Sequence, residues 1–139
     1  MIKSKKIPIK IAFMGIKGPR EGAGRVVEAI IKRLSLKKSE YAIYVYMIKE
    51  EANNYQPPRN INIIKIPTLY GKHIRPFLFG LLSAFHSVFI GSFDLIHLHN
   101  VEMSFILPIL RLKYPVVSTS HGVYVRPKWG LLTRVLWQL

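Results

Sequence analysis

The chain has no cysteine, which excludes disulfide cross-links and thiolate metal sites and suits a reducing compartment. It is also short of acid: seven Asp and Glu stand against 21 Lys and Arg, a net charge of +14. No apolar run is long enough to cross a bilayer. The longest, Phe77 to Ile90, falls short of the roughly 20 residues a spanning helix needs and reads as a buried or interfacial helix. The basic N-terminus is followed by no uninterrupted apolar stretch of the signal-peptide kind, because Lys10 and Gly15 break up Ile11-Ala12-Phe13-Met14. No repeat or low-complexity tract is present. A cytoplasmic protein is expected.

What is there is one domain's worth of chain. Its 139 residues can bury a single core, and half of them are apolar, so disorder is not expected. The basic groups are spread from Lys3 to Arg134, giving a surface attracted to polyanions, whether nucleic acid or an anionic membrane. No zinc finger, RNP signature or clear helix-turn-helix accompanies that charge, so nucleic acid is not the expected partner. A merely soluble, charged surface would have the same composition.

Apolar and β-branched runs predict strands at Ile9–Met14, Tyr41–Ile48, Ile61–Ile66, Leu95–His99 and Val116–Ser120. Helices are expected at about Ala23–Leu36, Pro76–Ile90 and Glu102–Leu110 (bent by Pro108), with helical spacing again at Trp129–Leu139. Gly15 to Gly24 and Glu50 to Asn60 read as loops. Strands alternating with helices argue for a parallel sheet covered on both faces, and Leu95–His99 and Val116–Ser120 are as continuously apolar as doubly buried strands should be. The fold class is α/β, a Rossmann-like doubly wound parallel sheet.

Two segments carry the chemistry. Glu21-Gly22-Ala23-Gly24-Arg25 opens the first helix, where glycines permit close backbone approach and free N–H groups face an anion. Lys17, Arg20 and Arg25 add positive charge, so a phosphate or sugar hydroxyl is the natural guest. It is not a dinucleotide fingerprint, since Val27 stands where the third glycine belongs and a long loop intervenes. A dinucleotide-binding oxidoreductase is therefore disfavoured, as is a Walker loop, because no Lys-Ser or Lys-Thr follows the last glycine. A ligand-free glycine connection remains the plain alternative.

The second segment is the pair of strands ending in histidines. His97 and His99 fall on the same side of their strand by alternation, His97 as a core histidine and His99 with Asn100 emerging beside His121. Zinc wants three or four ligands and cysteine is absent, so metal is not expected. His121 follows an apolar strand and precedes Gly122, which puts an imidazole at the carboxyl edge where open α/β sheets bind ligands. His73 and His86 read as structural or surface residues.

Together these pieces resemble the N-terminal half of family 4 glycosyltransferases, whose GT-B fold sets two Rossmann-like domains across a cleft. Glu21-Gly22-Ala23-Gly24-Arg25-Val26-Val27 is similar to the family's G-G-A-E-R-V-V, Asp94-Leu95-Ile96-His97-Leu98-His99 to its D-V-I-H-x-H, and Val116-Val117-Ser118-Thr119-Ser120-His121-Gly122 to its V-V-x-T-x-H-G. Met14-Gly15-Ile16-Lys17-Gly18, Gly71-Lys72-His73 and Arg126-Pro127-Lys128-Trp129-Gly130 are similar to a subgroup that includes rhamnosyltransferases of surface-polysaccharide assembly.

The resemblance implies transfer of a sugar from a nucleotide-sugar to a glycan or lipid-linked acceptor, with retention and without a required metal or other cofactor. It implies that Gly22, Ala23, Gly24 and Arg25 meet the donor phosphate and that His121 contacts the sugar. Lys17, Arg20, His99 and Asn100 would line the acceptor side. Three departures stand out. Gly24 replaces the family's acidic residue and Glu21 its first glycine. Val123-Tyr124-Val125 follows His-Gly where Asp-Trp is usual. Residues 1–139 would also make an N-terminal domain incomplete at its C-terminal end, without the donor-binding domain, so a separate donor-binding chain is an expected partner. The alternative is a non-catalytic membrane-surface or scaffolding module, resting on the basic charge and on Trp129, Trp137 and their leucines. Both readings allow peripheral contact with the inner face of an anionic membrane.

Overall fold

In strand β1 (Ile9–Met14), Ile11 and Phe13 face one side of a sheet and Ala12 and Met14 the other, and all four are buried. That two-sided burial organises the molecule, for which a computed structural model describes residues 7–16, 22–71 and 74–121. The elements run β1, α1 (Gly22–Ser35), β2 (Tyr41–Ile48), α2 (Lys49–Asn53), β3 (Ile61–Ile66), α3 (Ile74–Phe89), β4 (Leu95–His99), a 3-10 helix (Val101–Ile106), α4 (Leu107–Arg111) and β5 (Val116–Thr119). The strands form one parallel sheet in the order β3-β2-β1-β4-β5, the Rossmann-like arrangement expected from the alternating pattern.

Each face has its own core. On one, Val27 and Ile31 of α1 pack with Ile11, Phe13, Ile43, Val45 and Met47. On the other, Phe79 and Ala84 of α3, with Met103, Ile106 and Leu110 after β4, cover Ala12, Met14, Tyr46, Ile96 and Leu98. Burial of each large apolar side chain contributes about 1.5–3 kcal/mol. Gly80 lets α3 lie close to the 3-10 helix, since a β-carbon there would press on Phe105 and Met103. Glu28 and Lys32 pair across one turn of α1 at 3.5 Å.

Three local expectations differ. Residues 50–53, read as loop, belong to the single turn α2, with Glu50 and Glu51 at its positive end and Arg75 Nη2 2.9 Å from Glu50 Oε2. Gly22 and Gly24 belong to α1 rather than to the loop before it. The segment after β4 is a 3-10 helix followed by α4, with Pro108 in the first turn of α4. There its missing N–H costs little, so the element changes type instead of bending. The helical spacing read at Trp129–Leu139 lies outside the described residues.

Candidate functional site

The sheet order creates the site. From β1 the chain winds through α1 to β2 and β3; from β3 it crosses through α3 to β4, on the other side of β1. Between β1 and β4 the winding reverses, and the carboxyl edge at such a reversal is the general ligand position of these sheets. Gly15, Asn100 and His121 follow the ends of β1, β4 and β5, and α1 begins on the same edge.

At this edge the loops after β1 and β4 are stitched together. Gly15 has φ +86°, and a β-carbon there would collide with the His99 carbonyl oxygen. Only glycine lets the two chains approach this closely. Asn100, itself at φ 74°, donates from Nδ2 to the Gly15 carbonyl at 2.6 Å. Its side chain is thus committed to holding the β1 and β4 loops together.

At the same edge three imidazoles form a ladder. Alternation in β4 sends Ile96 and Leu98 to the α3 face, so His97 and His99 project on the α1 side, each against the ring of Phe13. Their centroids are 4.1 Å apart. His97 Nε2 bonds Thr119 Oγ1 of β5 at 2.7 Å, the satisfied core histidine expected there. His99 Nδ1 lies 2.9 Å from His121 Nε2, with the two rings stacked at 5.2 Å. Residue pairing of β4 with β5, His97 with Val117 and His99 with Thr119, brings the two strand ends level for this contact.

His99 is 1 % exposed, and its Nε2 has no hydrogen-bond partner among the described residues. Burial, then the neighbouring His97 and His121, pushes it down to about 3, so it is neutral at physiological pH. Burial also lowers His97, with a smaller contribution from His121. A neutral imidazole has one N–H. An orphaned buried N–H is less tolerable than an orphaned lone pair, which places the His99 proton on Nδ1, donated to His121. In the neutral pair His121 then accepts at Nε2 and carries its own proton on Nδ1.

The expected site residues therefore separate. His121 is half-buried, at the edge. His99 meets it as expected but is enclosed by Phe13, His97 and His121 instead of lining an open wall, because alternation turns its ring onto the sheet. Gly22, Ala23, Gly24 and Arg25 form the first turn of α1, where backbone N–H groups lack helical partners. Arg25 is exposed, and Gly24 lines a crevice with Ile16, Val27 and Tyr55. Lys17 and Arg20 lie outside the described residues, as does His73. His86 is structural: its Nδ1 is 2.9 Å from the hydroxyl of buried Tyr46, on the face away from the ladder.

Sequence reasoning missed the partnership of Gly15 with Asn100, although Gly at a strand end and Asn at another were its visible signals. Among the described residues no group of three or more His, Asp or Glu is arranged to hold a metal ion. No described helix is long and apolar enough to cross a membrane.

Comparison with known proteins agrees with this fold. The family described as Glycosyltransferase Family 4 matches residues 20–139, from before α1 through β5 and beyond. Neither a curated protein nor a solved structure matches the chain.

Proposed function

Because the chain belongs to glycosyltransferase family 4, we propose that it is the acceptor-side half of a retaining enzyme that moves a sugar from a nucleotide-sugar to a glycan or lipid-linked acceptor. The observation that carries this reading is the carboxyl edge of the sheet, where the His99–His121 pair and the first turn of α1 lie together. A donor's diphosphate suits the free N–H groups of Gly22 to Arg25 and the positive end of α1. His121, with its proton on Nδ1, can donate to a hydroxyl of the transferred sugar. Lys17 and Arg20 would attract the acceptor's charge, while Asn100 and Gly15 hold the β1 and β4 loops together.

Catalysis in this scheme is positioning and stabilisation of charge on the leaving diphosphate, which needs no metal and no second carboxylate. The resemblance of residues 14–18, 71–73 and 126–130 to surface-polysaccharide rhamnosyltransferases makes a deoxyhexose the first donor sugar to try. A donor-binding domain, in the same protein or in a partner chain, is required opposite this edge. The excess of basic residues supports work at the inner face of an anionic membrane, where a lipid-linked acceptor would be found.

The test combines this chain with its donor-binding half and measures transfer from a panel of nucleotide-sugars. Turnover with one donor and retained anomeric configuration supports the reading; inversion would remove the retaining mechanism. Absence of transfer with every donor, despite a stable complex, would favour the non-catalytic module.

A further inference from the structure

The two edges of the sheet differ in charge. At the carboxyl edge the described charged residues balance, Arg25, Lys49 and Arg75 standing with Glu50, Glu51 and Glu102. At the amino edge the strands begin and the helices end. There exposed Arg33, Lys37, Lys38, Arg59, Arg111 and Lys113 meet only Glu40 and Asp94 among the described residues. Both acids are engaged: Glu40 lies 3.8 Å from Lys37, and Asp94 accepts from the Lys10 backbone N–H at 2.8 Å. Helix C-termini call for part of this charge, and Lys113 bonds the carbonyls of Val88 and Gly91 at the end of α3. Lys38 and Arg59 serve no helix end, since they lie in the turns that lead into β2 and β3. The same edge carries four exposed aliphatic side chains, Ile7, Leu36, Ile90 and Leu112.

We propose that this amino edge docks an acidic protein segment whose carboxylates are interrupted by aliphatic side chains. The strand order β3-β2-β1-β4-β5 arrays the strand starts in a row. It runs from Arg59 before β3, through Leu36 to Lys38 before β2 and Ile7 before β1, to Ile90 before β4 and Leu112 before β5. At about 4.8 Å between neighbouring strands the row is roughly 19 Å long, the reach of about six residues of extended chain. Cations set beside aliphatic groups complement a partner that offers both kinds of contact. Nucleic acid is matched less well, because Ile and Leu give its bases no ring to stack on. A bilayer is on the wrong side: the proposed lipid-linked acceptor enters at the carboxyl edge, so the amino edge is turned away from its membrane. That exclusion alone rests on the proposed function. The donor-binding half also belongs at the carboxyl edge, which leaves the amino edge open to a further partner.

The test uses neither donor nor acceptor, so this proposal and the proposed function can fail separately. The full chain, labelled with nitrogen-15, is titrated with a synthetic peptide of glutamates interrupted by leucines. Parallel titrations use a leucine-free glutamate peptide of the same charge, poly-uridine and phosphatidylglycerol vesicles. The leucine-containing peptide should bind tightest and shift the backbone amides of Leu36, Lys38, Ile90 and Leu112. The double substitution Lys38→Glu, Arg59→Glu should weaken it by about tenfold, and Leu36→Ser with Leu112→Ser by a similar factor. Lys49→Glu with Lys65→Glu makes the same change of net charge at exposed positions away from the amino edge and should leave binding unchanged. Circular dichroism confirms that each variant folds. The proposal is overturned if the two peptides bind equally, if the shifts fall at the carboxyl edge, or if both pairs of charge reversals weaken binding alike. It is also overturned if poly-uridine or the vesicles bind at the amino edge more tightly than the leucine-containing peptide.

Discussion

His99 Nδ1 and His121 Nε2 are 2.9 Å apart, and the first ring is buried while the second reaches the edge. One proton is shared between these two nitrogens, and the enclosed His99 Nε2 decides who owns it. In the proposed scheme His99 is therefore a positioning residue: its contact sets which nitrogen of His121 carries the proton.

The tautomer can be read directly. Long-range proton–nitrogen correlation spectra at neutral pH should show His121 protonated at Nδ1. His99→Asn, whose amide can stand in for the Nδ1–H donor, should preserve that signature; His99→Leu should yield a mixture of tautomers. A His121 protonated at Nε2 in the wild type would reverse the assignment.

Acid should destabilise the fold through the same residue. His99 is held down to about 3 in the folded protein, against an ordinary value near 6.5 when unfolded. The unfolded chain thus binds the extra proton first, and stability is lost as pH falls from about 6.5 towards 3. His97, also lowered, adds to the same trend. Urea unfolding at a series of pH values should show a steeper acid loss in the wild type than in His99→Asn. Equal slopes would remove His99 from the acid transition.

Gly15→Ala should be among the most damaging single substitutions. The new methyl would meet the His99 carbonyl oxygen, and φ +86° strains any L-residue. A loss of about 2–4 kcal/mol is expected, measured by denaturant unfolding. Stability within half a kcal/mol of wild type would show that the β1 and β4 loops can separate freely, about the range of a neutral surface change.

Asn100 separates backbone strain from hydrogen bonding. Both Asn100→Ala and Asn100→Gly lose the bond to the Gly15 carbonyl, but only alanine is further penalised by φ 74°. Alanine should therefore be the less stable of the two by about 1 kcal/mol. Equal midpoints would mean that the positive φ relaxes once the amide is gone.

Much of this architecture was readable from residues alone. Strands β1 to β4 occur where runs such as Ile9–Met14 and Tyr41–Ile48 predict them, because a strand buried on both faces needs an uninterrupted apolar string. β5 stops at Thr119, one residue earlier than expected. The turn α2 could not be read, since it is a single turn of five residues whose Glu50 finds its partner, Arg75, in another element. The candidate site was readable as a place and not as a mechanism. His99 and His121 were identifiable at strand ends, but their contact depends on the register of β4 against β5, and the burial of His99 depends on Phe13 beneath it.

The central claim is that His121 forms part of a sugar-transfer cleft. It is tested most directly by comparing wild type and His121→Ala in the assembled enzyme, measuring kcat and the binding of the free nucleotide diphosphate side by side. Loss of a transition-state donor predicts a fall in kcat of about a hundredfold with nucleotide affinity unchanged. A variant that transfers sugar at the wild-type rate would contradict the account.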